Sequence, residues 1–323
     1  MIKVLDEIAE VINNNDDFLI ASHENPDGDA IGSMAAMGFI LKNLGKNFSI
    51  FSEIRIPEKY NWLEMPGTIV NEYHPGGYSC IFILDCGNFQ RTSKKLYTRA
   101  AEPVINIDHH QGNPGFGSIN WVDVSFSSVG EMVASLAHKL NLELTGPLAE
   151  GIYLAVVSDT GFFSFGNTSP QVHELSAKLI RGGINPGLIN AKILNQWTVG
   201  RLHLHGMAMQ KASFYLNGRM GVLSITRKML DETGTTPGDC EGMVNTVKNV
   251  KGVDVALSLR EDKPGRVKFS LRSTGNIDVQ RMAAELHGGG HKNASGGTIE
   301  ADIDTARDRV VEVAARHLGT HAG

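Results

Sequence analysis

The period of the apolar positions changes near residue 185, and that change divides the chain. Val4, Leu5, Ile8, Val11 and Ile12 recur at helical spacing, which predicts an amphipathic helix at the start. From there to about residue 185, short β-rich runs alternate with helical stretches, the pattern of a parallel sheet covered by helices. DFLIASH at 17–23 reads as a strand, and the helix AIGSMAAMGFILKNLG follows it after a Pro/Gly loop. YSCIFILDC at 78–86 and PVINIDHH at 103–110 read as further strands, apolar until their last residues turn ionisable. In open α/β sheets the carboxyl ends of the strands line the ligand crevice, so those endings are where chemistry is expected.

Three helices follow. In SSVGEMVASLAHKL, Ser128 and Glu131 have capping-box spacing. LAEGIYLAVVSDT ends at Asp159, and Ser169-Pro170 supplies an N-cap and first-turn proline for QVHELSAKLIRG. The stretch 186–210 reads as a helical linker. Beyond it, Asn217-Gly218 lies between two alternating runs and predicts a hairpin, and VDVALSLRED and GRVKFSLRS form a strand pair turning at Lys263-Pro264-Gly265. A helix over 278–286, a glycine-rich loop, a short strand near 295–300 and a helix over 304–318 complete a smaller α+β domain. The expected organisation is therefore an α/β domain over 1–185, a linker over 186–210 and a second domain over 211–323, with the active site in the cleft between them.

Composition narrows the partners. A net charge of -5 excludes a broad basic face of the kind that coats long duplex nucleic acid, while leaving a small phosphorylated substrate open. Cys80, Cys86 and Cys240 make neither a CxxC pair nor an even disulfide set, so buried thiols in a reducing compartment are expected. No apolar run approaches the roughly 20 residues that span a bilayer, and the acids in MIKVLDEIAEVI are unlike a secretion signal. No membrane partner and a cytoplasmic location are the expectations.

The ionisable endings gather four sites in one half of the chain: His23, Asp27 and Asp29 in H-E-N-P-D-G-D, then Asp85, then Asp108-His109-His110, then Asp159. Clustered in one crevice, these charges would repel and resist desolvation, and divalent cations are the simplest neutralisers. Carboxylate and imidazole without thiolate suit manganese, iron, cobalt or zinc, and the excess of carboxylates favours manganese. Five or six side chains exceed what one ion takes, whereas two ions roughly 3.5–4 Å apart make a phosphoryl-transfer site.

H-E-N-P-D-G-D, the strand-terminal L-D-C, D-H-H at 108–110, S-D-T-G around Asp159 and G-G-G-H at 288–291, in that order, resemble the DHH phosphoesterase superfamily. Within it, the chain is most similar to the bacterial nanoRNase branch, oligoribonucleases that are also phosphatases of 3'-phosphoadenosine 5'-phosphate (pAp). The resemblance covers nearly the whole chain. It implies an N-terminal DHH domain, a C-terminal DHH-associated domain, two bound manganese ions, and hydrolysis of short RNA or DNA oligonucleotides to 5'-mononucleotides and of pAp to AMP. It implies His23 and Asp27 on the first ion, Asp29 and His109 on the second, Asp85 shared, and Asp159 completing a sphere left unassigned. Asp108 would orient a histidine, and His110 would face the scissile phosphate. In the second domain it implies substrate contacts from Arg272, Ser273, Gly289, Gly290 and His291, an arginine and a glycine-rich backbone suited to phosphate.

Two alternatives stay open: hydrolysis of linear or cyclic dinucleotides such as pApA and cyclic di-AMP, and a non-catalytic nucleotide sensor, which the intact ligand set disfavours. A pyrophosphatase or a RecJ-like exonuclease fits less well. A homodimer is compatible with the sequence. His203 and His205 read as surface or interdomain packing residues, the aromatics Phe162, Phe163 and Phe165 and Met34 and Met37 as core packing, and Lys94, Lys95 and Arg99 as a solvated face.

Overall fold

The computed structural model describes residues 2–319, except the side chains of Ile2 and His291. The chain forms two units, one ending at Gln196 and one beginning at Trp197.

The first unit is a six-stranded parallel sheet. Its elements are α1 (Ile2–Asn14), β1 (Phe18–Ala21), α2 (Gly28–Asn43), β2 (Phe48–Phe51), β3 (Thr68–Val70), β4 (Cys80–Leu84), α3 (Lys94–Tyr97), β5 (Val104–Asp108), β6 (Ile119–Val122), α4 (Val129–Lys139), α5 (Gly146–Asp159), α6 (Pro170–Arg181) and α7 (Pro186–Leu194). The strand order is β3-β2-β1-β4-β5-β6, so the chain moves outward from β1, returns and continues from β4 on the other side. That reversal between β1 and β4 is the switch point at which open α/β sheets bind ligands. Three strands are not signalled in the sequence: FSIF, TIV and INWV are too short to show a period.

Helices α2 and α5 are buried nearly all round, which removes the polar stripe of an ordinary surface helix. They approach closely because each carries a glycine at the contact. A Cβ on Gly32 would stand 2.4 Å from the Gly151 carbonyl, and one on Gly151 would stand 2.7 Å from the Gly32 carbonyl. Helix α2 delivers Asp29 from its first turn and α5 delivers Asp159 as its last residue, so this contact helps to set the spacing of two acids.

The stretch 186–210, expected to be a helical linker, forms two helices. Asn185 caps α7 by accepting from the Leu188 N–H, and Thr198 caps a separate helix, α8 (Val199–Gln210), by accepting from the Arg201 N–H. The Thr198 side chain satisfies donors that a continuous helix would have bonded to its own carbonyls. Ile189 of α7 joins the first unit's core, whereas Leu204 and Ala208 of α8 join a core in the second.

The second unit continues with β7 (Ser213–Tyr215), β8 (Met220–Ile225), α9 (Arg227–Thr233), α10 (Met243–Lys248), β9 (Val255–Lys263), β10 (Arg266–Ser273), α11 (Val279–Glu285), β11 (Gly289–His291), β12 (Ala294–Ile299) and α12 (Ile303–Leu318). Its sheet runs β11-β12-β10-β9-β8-β7, with only β8 and β9 parallel. One face packs Val255, Leu257, Leu259, Phe269 and Leu271 against α11 and α12; the other packs Leu223, Ile225 and Ala256 against α8, α9 and α10. The expected Asn217-Gly218 hairpin joins β7 to β8, with Leu216, Asn217 and Gly218 all at positive φ. The expected glycine-rich loop is instead strand β11, paired to β12 at Gly289 with Gly296 and Gly290 with Ser295. Side chains would obstruct that pairing: a Cβ on Gly290 would meet the Ala294 carbonyl at 2.6 Å.

All three cysteines are free. Among the described residues, no helix is long and apolar enough to cross a membrane.

Candidate metal centre

The end of β1 runs into His23, and the Pro-Asp-Gly-Asp loop closes by capping α2 with Asp27. One Asp27 carboxylate oxygen accepts from the Asp29 N–H at 3.1 Å and the Ala30 N–H at 3.2 Å. Asp29, fully buried, accepts from Ser33 Oγ at 2.9 Å and from two backbone amides a hundred positions away, Val129 at 2.7 Å and Gly130 at 3.0 Å. Those amides are available because they open α4, where first-turn N–H groups lack helical partners. Ser128 caps that turn by accepting from the Glu131 N–H, as its spacing predicts. The reciprocal half of the box differs: the Glu131 carboxylate reaches past Ser128 to the N–H and hydroxyl of Ser127, both at 2.8 Å.

Asp85 follows β4 with φ 53°, a left-handed conformation that costs a non-glycine residue energy. Its carboxylate is buried, and Oδ1 has no hydrogen-bond partner. His109 and His110 follow β5. His109 Nδ1 donates to the Phe126 carbonyl at 3.2 Å, which leaves Nε2 facing Asp29 at 3.7 Å, Asp85 at 3.7 Å and Asp159 at 3.2 Å. The two Asp85 oxygens face different imidazoles, Oδ1 toward His109 and Oδ2 toward His23 at 3.9 Å. Donor atoms fall into groups within 4.8 Å of one another: His23, Asp27 and Asp85; Asp29, His109 and Asp159; and Asp85 with His109 and His110.

The electrostatics describe a site short of positive charge. Burial raises the Asp85 pKa well above the carboxylate range, and Asp29, Asp27 and Asp159 raise it further. Burial and then Asp159 raise Asp29 in the same way, against the Val129 and Gly130 amides. Asp159 is raised by burial and opposed by His109, while burial lowers His23. An orphaned buried oxygen among convergent carboxylates and imidazoles fits divalent cations. Cys86, next to Asp85, is not a thiolate donor: burial pushes its pKa to about 11, and Sγ bonds the Asn88 carbonyl.

Asp108 is fully buried and accepts from His110 Nδ1 at 2.8 Å, so the histidine it holds is His110. The hydrogen bond from His110 is the chief influence lowering Asp108 against its burial, and the same bond raises His110. Sequence reasoning missed Asn113, whose amide donates to Asp108 at 2.6 Å and whose oxygen accepts from the buried Asn106 amide. An asparagine in the middle of the apolar run VINID was the available signal. Also missed were the α4 amides and Asn167, which donates to the Asp159 carbonyl at 3.0 Å and the Ser127 carbonyl.

After Asp159 the backbone takes three successive left-handed residues, Gly161, Phe162 and Phe163. Phe162 and Phe163 pack on the core, and Phe163 stacks on His173, but Phe165 is 59% exposed, unlike the packing expected of all three.

Arg272, Ser273, Gly289, Gly290 and His291 all belong to the second unit. Neighbouring residues of a strand point to opposite faces, and this separates the first two. Ser273 is buried, donates to the Ile277 carbonyl at 2.7 Å and accepts from Asn293 at 2.9 Å. Arg272 lies on the other face, beside a cavity of about 410 Å³ that Arg260, Lys268 and Ser270 also line. Arg260 and Lys268 were not singled out in the sequence; they share a face with Arg272 through strand alternation and pairing. Gly289 is open on its Cα side, and the His291 side chain lies outside the described residues.

A family model described as the DHH family N-terminal domain matches residues 17–156, and one described as the DHHA1 domain matches 217–316. A Thermus thermophilus protein named bifunctional oligoribonuclease and PAP phosphatase NrnA is 32% identical, over 94% of this chain and 90% of its own. A Bacillus subtilis protein of the same name is 30% identical, over 91% of this chain and 92% of its own. The solved structure of an exopolyphosphatase-related protein from Bacteroides fragilis superimposes with a TM-score of 0.89 at 26% identity, covering 99% of this chain and 96% of that one. With both domain models matched in order and relatives aligned along nearly their whole length, the chain belongs to the DHH family, a DHH domain followed by a DHHA1 domain.

Proposed function

We propose that this chain is a manganese-dependent, two-metal phosphoesterase that hydrolyses short oligonucleotides to 5'-mononucleotides and pAp to AMP. The observation that carries the proposal is the pair of three-donor groups, one of His23, Asp27 and Asp85 and one of Asp29, His109 and Asp159, linked by Asp85, whose two oxygens face His23 and His109 separately. His23, Asp27 and Asp85 would hold one ion, and Asp29, His109 and Asp159 the other, with Asp85 shared. When bound, such a pair supplies a water nucleophile at neutral pH and draws charge from the phosphoryl oxygens.

The chain's own groups do the rest. The Phe126 carbonyl and the α4 amides fix His109 and Asp29, so the donors are held before substrate arrives. Asp108, steadied by Asn113, holds the Nδ1 proton of His110 and leaves Nε2 to donate toward the scissile phosphate or its leaving oxygen. Arg272, with Arg260 and Lys268, would bind a substrate phosphate, as guanidinium forks do. The names carried by the Thermus thermophilus and Bacillus subtilis relatives agree with this substrate class.

The test is hydrolysis of pAp, a diadenylate, cyclic di-AMP and an oligonucleotide of about 24 nucleotides by the manganese-loaded protein. AMP should accumulate from pAp and diadenylate, with the long chain cut far more slowly. Equal rates on diadenylate and the long chain would remove the substrate class, and tight binding without product would make the protein a sensor.

A further inference from the structure

Arg91 is an exposed arginine six residues after Asp85, and it has no ion pair or side-chain hydrogen bond among the described residues. Its backbone is tied to both of the first metal loops. The segment leaves Asp85, passes Gly87, and turns through Phe89–Arg91 under the cap of Asn88, which accepts from the Gln90 N–H at 2.9 Å. The Arg91 carbonyl then accepts from the Glu24 N–H at 2.9 Å, next to His23.

Gly87 opens the space between this guanidinium and His110. A Cβ there would stand 3.3 Å from His110 Cβ, 3.5 Å from His110 Cγ and 3.8 Å from Arg91 Nη1. Gly87 is not among the glycines at positive φ, so the backbone does not demand glycine; the room does.

Building on the phosphoesterase reading above, we propose that Arg91 is a further catalytic residue, its guanidinium meeting the non-bridging oxygens of the scissile phosphate through the notch at Gly87, beside His110. A planar fork of donors matches two such oxygens and grips them harder as charge builds in the transition state. Carboxylates on the other sides of the site are directed at one another and at the imidazoles, which leaves this fork free for an anion.

The experiment compares wild type, Arg91→Ala, Arg91→Lys and Gly87→Ala on pAp with manganese, with bound manganese per chain and the melting temperature measured alongside. Arg91→Ala should lose roughly 100-fold to 1,000-fold in kcat, with manganese content and melting unchanged, and added guanidinium at sub-denaturing concentration should restore part of it. Arg91→Lys should recover only a minor part, and Gly87→Ala should lose about ten-fold or more by filling the notch. An Arg91→Ala enzyme within about two-fold of wild type, or one whose loss follows lost manganese, overturns the assignment while leaving the phosphoesterase intact. An inactive wild type instead removes the reading beneath it, and the assignment with it.

Discussion

Asp85→Asn separates what the site costs the fold from what cations return to it. The Asp85 carboxylate is 2% exposed, its Oδ1 has no hydrogen-bond partner, and its donor oxygen lies within 4.8 Å of that of Asp27. Two charges at that separation repel by about 3.5 kcal/mol at an effective dielectric of about 20. Burial and then Asp29, Asp27 and Asp159 raise the Asp85 pKa, so the folded carboxyl holds its proton more tightly than an unfolded one. Without metal, wild-type stability must therefore fall as pH rises from the unfolded carboxylate range toward the folded pKa. Asparagine keeps the shape and removes that penalty. Metal-free Asp85→Asn should match wild type or exceed it by up to about 3 kcal/mol near neutral pH, which at about 2–4 °C per kcal/mol is a rise of up to about 10 °C. Manganese at about a hundred times its Kd should add about 2.7 kcal/mol per site to wild type and far less to the variant. Calorimetry of both proteins with chelator and with manganese should thus show the order of melting temperatures reversing. A variant less stable than wild type in chelator, or one that gains as much from manganese, would refute the reasoning.

Arg272→Ala should raise KM for pAp on the order of ten-fold with kcat nearly unchanged, the loss of one charge-assisted contact, as steady-state kinetics will show. Ser273→Ala should leave KM alone and cost about 1 kcal/mol in urea unfolding, because it removes one hydrogen bond to the Ile277 carbonyl and one from Asn293. Gly32→Ala forces a Cβ to 2.4 Å from the Gly151 carbonyl, and should cost about 1–3 kcal/mol or more and weaken manganese binding by shifting α2 against α5. Hydrogen bonds from Arg316 and then His317 lower the pKa of Glu285, so the stability they give is present above the unfolded carboxylate range and lost as pH falls through the folded value. Acid unfolding of Glu285→Gln between about pH 5 and 3 should accordingly be shallower than wild type.

The candidate ligands were legible because ionisable residues recur just after apolar strands or at a helix end four times in one half of the chain. Their supports were not. Val129 and Gly130 act through backbone amides that any residue would supply, and only the return of α4 to the switch point brings them to Asp29. Helices α2 and α5 show no apolar stripe because they are buried on all sides. The strands FSIF, TIV and INWV are shorter than the window in which alternation shows. Strand alternation does separate Arg272 from Ser273, yet adjacency in sequence had grouped them as one motif. Arg91 carried no motif of its own and stands out only once Gly87 and His110 are seen together.

We propose that two cations sharing Asp85 cut short nucleotide phosphoesters. The most direct test of this is to titrate manganese into metal-free protein while following both ions bound per chain and AMP released from pAp. Activity should appear with the second equivalent and saturate at two ions per chain. Saturation at one ion, or two bound ions with no AMP, would contradict it.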